Sequence, residues 1–199
     1  MKMTQRDIEI LEFINEFWFC EITQIEKKFD LKKPRSYQIM QRLIKEKLVI
    51  HEMVFHGRNG IYYLSKHGAN HFDLPAMTNV PIAIYDHQLT IIDVYFKLMH
   101  LYPEAQWISE RRLKRDRFAK GIGRLGHISD GLMVFPDDKQ IAIEVELTMK
   151  GKLRLEHIFM AYAGELKISE VWYFCSPNVL PKMRKVAEKR SYIKVHGLS

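Results

Sequence analysis

Apolar residues recur at helical spacing through Ile8, Leu11, Ile14 and Trp18, and Thr4 followed three residues later by Asp7 is a capping signal, so the chain is expected to open with a helix. A shorter helix follows through Ile22, Ile25 and Phe29, and residues 30–34 form a turn before a third helix over about 35–47. In that third helix Tyr37, Met40, Leu43 and Ile44 can face a core, which leaves Arg35, Ser36, Gln38, Gln41, Arg42 and Lys45 outward. Two strand-like runs then flank residues 56–60 in LVIHEMVFHGRNGIYYLSKHG, where Asn59-Gly60 signals a tight hairpin turn with Arg58 at its tip.

Three helices in this rhythm suggest a helix-turn-helix. The outward residues of the third helix suit a DNA groove, since Arg and Gln make paired hydrogen bonds to base edges while Lys and Ser reach phosphates. Arg58 would enter the minor groove or touch the backbone. The alternative is a solvated charged face on a unit that contacts proteins. The whole order, closing on IYYLSKHG, resembles winged-helix transcription regulators over about residues 4–72.

Between Gly68 and Tyr85 periodicity dissolves in GANHFDLPAMTNVPIAIY, which predicts a linker. The chain thus divides into residues 1–72, a linker at 73–85 and a second unit at 86–199. Asp86 can cap a helix carrying Leu89, Ile92, Phe96 and Met99. After the short strand AQWIS, the run RRLKRDRFAKGIGR, with Arg111, Arg112 and Arg115, must be solvated or bound to phosphate. HISDGLMVF and QIAIEVELT read as antiparallel strands around Pro136, Asp137 and Asp138. A helix over 152–166, the strand VWYFC, a helix over 181–190 and the strand YIKVHG complete the order.

Composition narrows the setting. With 47% hydrophobic and 28% charged residues, the chain can bury a core and is not expected to be disordered. Its formal charge of +7 favours a polyanionic partner. Nothing approaches the ~18 consecutive apolar residues of a spanning helix, and the opening MKMTQRDIEI lacks the apolar core of a signal peptide, so a cytoplasmic protein without a membrane partner is expected. Cys20 and Cys175 sit singly in aromatic surroundings and are expected as buried thiols. GIGRLG at 121–126 is not read as a phosphate loop, because no strand leads into it and no helix follows.

In QIAIEVELT, Ile141, Ile143, Val145 and Leu147 would point one way, and Glu144 and Glu146 the other. Asp130 can lie beside that second face, and Lys150 follows just beyond the strand. Carboxylates so close raise one another's pKa unless a cation compensates, which points to a divalent metal on Asp130, Glu144 and Glu146. Such an ion, Mg2+ or Mn2+, activates water against a phosphodiester, with Lys150 orienting the water or stabilising developing charge. The alternative is a solvent face on which these acids pair with Lys150, Arg154 or the basic run.

Helix, three strands, helix and strand, with Asp130 at the second strand and Glu144-x-Glu146 in the third, resembles the core of PD-(D/E)xK restriction-endonuclease-like phosphodiesterases over about 86–176. The longer pattern, with DHQLTIIDVYFKL, ISERRLKR, HISDGLMVF and IAIEVELTMKGKLRLEHIFMAY after the first unit, is similar to the replication-relaxation family and to C-type plasmid mobilisation relaxases. The resemblance implies an α+β protein: a winged helix-turn-helix followed by an α/β nuclease-like domain. It also implies a metal site of Asp130, Glu144 and Glu146, Lys150 as its lysine, Glu110 as an additional acid, and a family position at His87. Ser129 and Glu146 stand where the nuclease motif has Pro and Lys.

Three functions follow as expectations. The first is a factor of a plasmid or mobile element that binds double-stranded DNA beside replication or mobilisation proteins, its winged helix finding a site while the second domain nicks or grips the DNA nearby. The second is a non-catalytic regulator or relaxosome accessory factor on a degenerate nuclease fold, and the third a toxin-like or defence nuclease. A homodimer is the general expectation for winged-helix proteins.

Overall fold

The computed structural model describes residues 3–121 and 126–198 and divides into two compact units, Met1–Asp93 and Val94–Ser199. The basic run and the glycine-rich GIGRLG segment therefore lie partly outside the described residues, at 122–125.

In the first unit, helix α1 (Gln5–Glu16) starts at the expected capping box, in which the Thr4 hydroxyl accepts from the Asp7 amide and the Asp7 carboxylate accepts from the Thr4 amide. Strand β1 (Phe19–Glu21), helix α2 (Ile22–Phe29), helix α3 (Arg35–Lys45) and strands β2 (Val49–Glu52) and β3 (Ile61–Leu64) follow. The strands form an antiparallel sheet of order β1-β3-β2.

Helix α3 is rotated from the expected face. Ser36, Ile39, Met40 and Leu43 are its buried residues, while Tyr37 and Ile44 are only half-buried. At about 100° per residue the four buried positions share one arc. Ser36 can enter it because its hydroxyl donates to Glu26 Oε1 at 2.6 Å. The β2–β3 connection is also longer than a two-residue turn: it covers residues 53–60, and its left-handed residue is Gly57, at φ 75°. Gly60 serves close approach instead, since a Cβ there would lie 2.1 Å from His51 Nε2.

The expected linker is packed. After helix α4 (Lys66–Ala69), Leu74, Met77 and Tyr85 are buried, the latter two in a cluster with Phe19, Ile61, Tyr63 and Leu89. Side-chain amides bind this segment and the first half of the helix after it to the stretch running from α1 to α2. Asn15 donates to the Leu74 carbonyl, Gln88 to that of Phe17, and Gln24 to that of Leu89 and to Asp93. The boundary accordingly falls after Asp93 rather than at Asp86, within helix α5 (Tyr85–Leu101).

The second unit carries strand β4 (Gln106–Ser109), helix α6 (Glu110–Ala119), strands β5 (Gly131–Val134) and β6 (Gln140–Glu146), helix α7 (Lys152–Ala163), strand β7 (Ile168–Cys175), helix α8 (Leu180–Ala187) and strand β8 (Ile193–Gly197). The sheet has the order β4-β5-β6-β7-β8, antiparallel from β4 to β6 and parallel from β6 to β8. The observed class is α+β with a mixed sheet.

One register row, Ile108, Leu132, Ala142, Val171 and Ile193, crosses all five strands on a single face. It packs with Leu113 of α6, Leu155, Ile158, Phe159 and Tyr162 of α7, and Met183 and Ala187 of α8, so these helices form one layer. Glu144 and Glu146 follow Ala142 on that face by the two-residue alternation of a strand.

Candidate functional site

Two places gather side chains capable of recognition or chemistry. The first is the outer stripe of α3. Arg35, Gln38, Gln41 and Lys45 are exposed at three- and four-residue spacing, which aligns them along one side of the helix. Arg35 and Gln38 of this stripe line an open cleft of about 980 Å³, together with Arg42 and with Thr4, Gln5 and Arg6 at the start of α1.

Three other expected DNA contacts are used differently. Ser36 is buried against Glu26. Arg42 donates to the buried carboxylate of Asp7 at 2.5 Å, which ties α3 to the cap of α1. Arg58 is held against Asp86 at 2.6 Å with its guanidinium 4.7 Å above the Tyr85 ring, so it is not a free hairpin tip.

The second place is the helix-covered face of the C-terminal sheet. Glu144 and Glu146 are only 2% and 3% exposed, so the solvent-face alternative does not hold. His127 Nε2 lies 2.6 Å from Glu144 Oε1, and the Tyr162 hydroxyl donates to the same oxygen. Glu146 pairs with Lys150 four residues on, which brings that lysine to the cluster. Asp130 accepts the Val145 amide at 2.8 Å. Burial pushes Glu144 above the usual carboxylate range; the hydrogen bond with His127 opposes this, and the nearby Asp130 charge adds to it. Burial beside Glu144 likewise pushes Tyr162 well above the usual tyrosine range.

Tyr173 faces Glu144 across the β6–β7 register and is fully buried, and its hydroxyl has no hydrogen-bond partner among the described residues. Burial and the charges of Glu144, Glu146 and Asp130 hold it strongly against ionisation. Sequence reasoning missed His127, Tyr162 and Tyr173. HISDGLMVF does place His127 three residues before Asp130, but only the fold brings it to Glu144.

Glu110 is drawn into a 2.6 Å pair with Lys114 on α6. The basic run expected to be solvated or bound to phosphate begins as this helix. Within it Arg111 is buried, contrary to a role on the surface, while Arg112 and Arg115 are half-buried and Arg115 binds Asp116. His87 is half-buried on α5. Both cysteines are buried free thiols that burial pushes above the usual range, Cys175 to about 12.

A divalent cation takes oxygen ligands converging on one point. Here Asp130 is engaged by a backbone amide, Glu144 by His127 and Tyr162, and Glu146 by Lys150. Among the described residues no three His, Cys, Asp or Glu side chains come together as a metal site. The carboxylates as arranged do not fit the ion.

No family model matches the chain, and no curated protein matches it. Solved structures similar to it include TrmBL2, an archaeal chromatin protein reported to show a novel mode of DNA binding. That match covers 98% of this chain and 73% of that one at 10% identity, with a TM-score of 0.28, too low to carry a fold or a function across. Among the described residues no helix is long and apolar enough to cross a membrane.

Proposed function

We propose that the protein binds double-stranded DNA through a winged helix-turn-helix in its first unit, and that its second unit is a nuclease-like scaffold that holds DNA without cutting it. The observation that carries this reading is the stripe Arg35, Gln38, Gln41 and Lys45 on α3. Those side chains can make paired contacts to base edges and single contacts to phosphates. The bond between Arg42 and Asp7 fixes the helix that presents them.

The carboxylates favour holding over cutting, because each is committed to a protein group. The resemblance to replication-relaxation proteins and mobilisation relaxases supports a regulator or accessory factor in plasmid or mobile-element replication or mobilisation.

Nicking is the second reading, favoured by the charges of Glu144, Glu146 and Asp130 all acting on the Tyr173 hydroxyl, which has no hydrogen-bond partner among the described residues. One experiment separates the two. Supercoiled plasmid is incubated with the protein and Mg2+ or Mn2+, with EDTA, and with Glu144→Ala and Asp130→Ala, while a gel shift reads binding. Binding without conversion is expected. Metal-dependent nicked or linear product that both variants lose would overturn the non-cutting reading, and absence of binding would sink the DNA-binding one.

A further inference from the structure

The net charge is unevenly placed. Residues 1–93 hold twelve Lys or Arg and twelve Asp or Glu, whereas residues 94–199 hold nineteen and twelve. The whole excess of +7 therefore lies in the second unit. Within that unit it is concentrated again: helices α6, α7 and α8 together hold ten Lys or Arg against three Asp or Glu.

These helices cover the same face of the sheet, and the exposed cations among them lie on α7 and α8. On α8 the buried residues Met183 and Ala187 leave Lys182, Arg184 and Lys185 exposed, and on α7 Lys152 and Arg154 are exposed. None of these five forms an ion pair among the described residues. Unpaired cations in one layer repel one another, and a polyanion relieves that cost by releasing its own counterions.

We propose that the outer surface of α7 and α8 is a second DNA contact, one that grips the phosphate backbone without regard to sequence, while α3 reads bases. This rests on the DNA-binding reading and assigns its two components to different units. The electrically neutral first unit has little net charge with which to draw a polyanion; the second has all of it. Uniformly negative backbone suits a layer of flexible Lys and Arg without buried base-reading pockets.

The test uses the full chain and fluorescence anisotropy with a random-sequence duplex over a series of KCl concentrations. Each phosphate contact contributes about 0.9 to the slope of log affinity against log salt. The variant Lys182→Gln/Arg184→Gln/Lys185→Gln is expected to flatten the slope by up to about 2.7 and to weaken binding by about tenfold to several-hundredfold at 0.1 M salt. Lys152→Gln/Arg154→Gln is an independent second variant in case the first unfolds, with an expected flattening of up to about 1.8. Gln38→Ala/Gln41→Ala should keep the wild-type slope.

A wild-type slope in both charge variants, with DNA still bound, would overturn the second-unit grip and leave the α3 reading standing. Loss of all DNA binding in the wild type would overturn both. Charge-variant-sensitive binding to phosphatidylserine vesicles, with no effect of those variants on DNA, would assign the layer to a membrane surface and overturn the inference.

Discussion

In the first unit, the buried carboxylate and amide side chains are dispersed and each ends on a partner in the chain, Asp7 on Thr4 and Arg42, Asn15 on Leu74, Gln24 on Leu89 and Asp93, Gln88 on Phe17, and only the Tyr85 hydroxyl has none among the described residues. In the second unit, Glu144, Glu146 and Tyr173 lie close together on one sheet face, where burial and the Asp130 charge oppose ionisation of Glu144 and the Tyr173 hydroxyl is left without a partner among the described residues. Dispersed, satisfied groups fix how segments meet. Gathered acids cost stability, because desolvation and like charge both oppose ionisation. The contrast separates polar burial that serves architecture from polar burial that marks a site.

The largest effect should come from the architectural kind. Asp7→Ala removes the acceptor of the Thr4 amide and of Arg42 together, and a loss of about 2–3 kcal/mol in urea unfolding is expected. Arg42→Ala should cost less, about 1–2 kcal/mol, because it strips the buried Asp7 carboxylate of its guanidinium donor but keeps the bond to the Thr4 amide. Equal losses in the two variants would mean that the pair, and not the cap, dominates at Asp7.

Glu144→Gln tests the other side of the comparison, with a smaller effect of opposite sign. Glu144 titrates above its unfolded value, so the folded protein holds a proton that the unfolded chain has lost, and stability falls as pH rises through that window. Above the folded value the full cost is present. The variant lacks this cost and can still hydrogen-bond Tyr162, so its melting temperature should exceed the wild type at pH 8, with the gap closing toward pH 4. A gap that widens toward acid would contradict burial as the dominant cause.

Ser36→Ala distinguishes a packed position on α3 from a reading one. Loss of the hydroxyl bonded to Glu26 should cost about 1 kcal/mol of stability and leave DNA sequence preference intact. Gln38→Ala should do the reverse, costing about 1–3 kcal/mol of discrimination between sites in competition binding with little change in unfolding. A shift in site preference on Ser36→Ala would return that residue to the DNA face.

What the sequence revealed follows the range of the forces involved. The capping box of Thr4 and Asp7, the helical and strand periods, and the shared face of Glu144 and Glu146 depend on near neighbours and were legible. The rotation of α3 was not, because Ser36 becomes a core residue only through Glu26, ten positions earlier and on another helix. The segment 73–85 looks like a linker by composition, yet Asn15 binds its Leu74 carbonyl from 59 positions away, and its Leu74, Met77 and Tyr85 side chains are buried. His127 was silent for the same reason: its partner is seventeen residues on, across a strand and a turn. Arg58 and Arg111 were read as surface contacts by charge, although Asp86 and burial respectively settle their places.

Tyr173→Phe should have the smallest effect and bears most directly on what the carboxylate cluster is for. A buried hydroxyl without a partner has given up hydration and received nothing in return, so deleting it should leave stability within about 0.5 kcal/mol of wild type or raise it slightly. The ring is retained, and with it the edge contact to Phe159, at 6.1 Å between centroids. A loss of about 1 kcal/mol or more in urea unfolding would mean that the hydroxyl has a partner in solution, either a bound water or an ion shared with Glu144 and Asp130. Repeating the measurement with EDTA separates these: a loss that chelation abolishes belongs to an ion and would return the cluster to the nuclease reading. A loss that persists belongs to water, and leaves the carboxylates to His127, Tyr162 and Lys150.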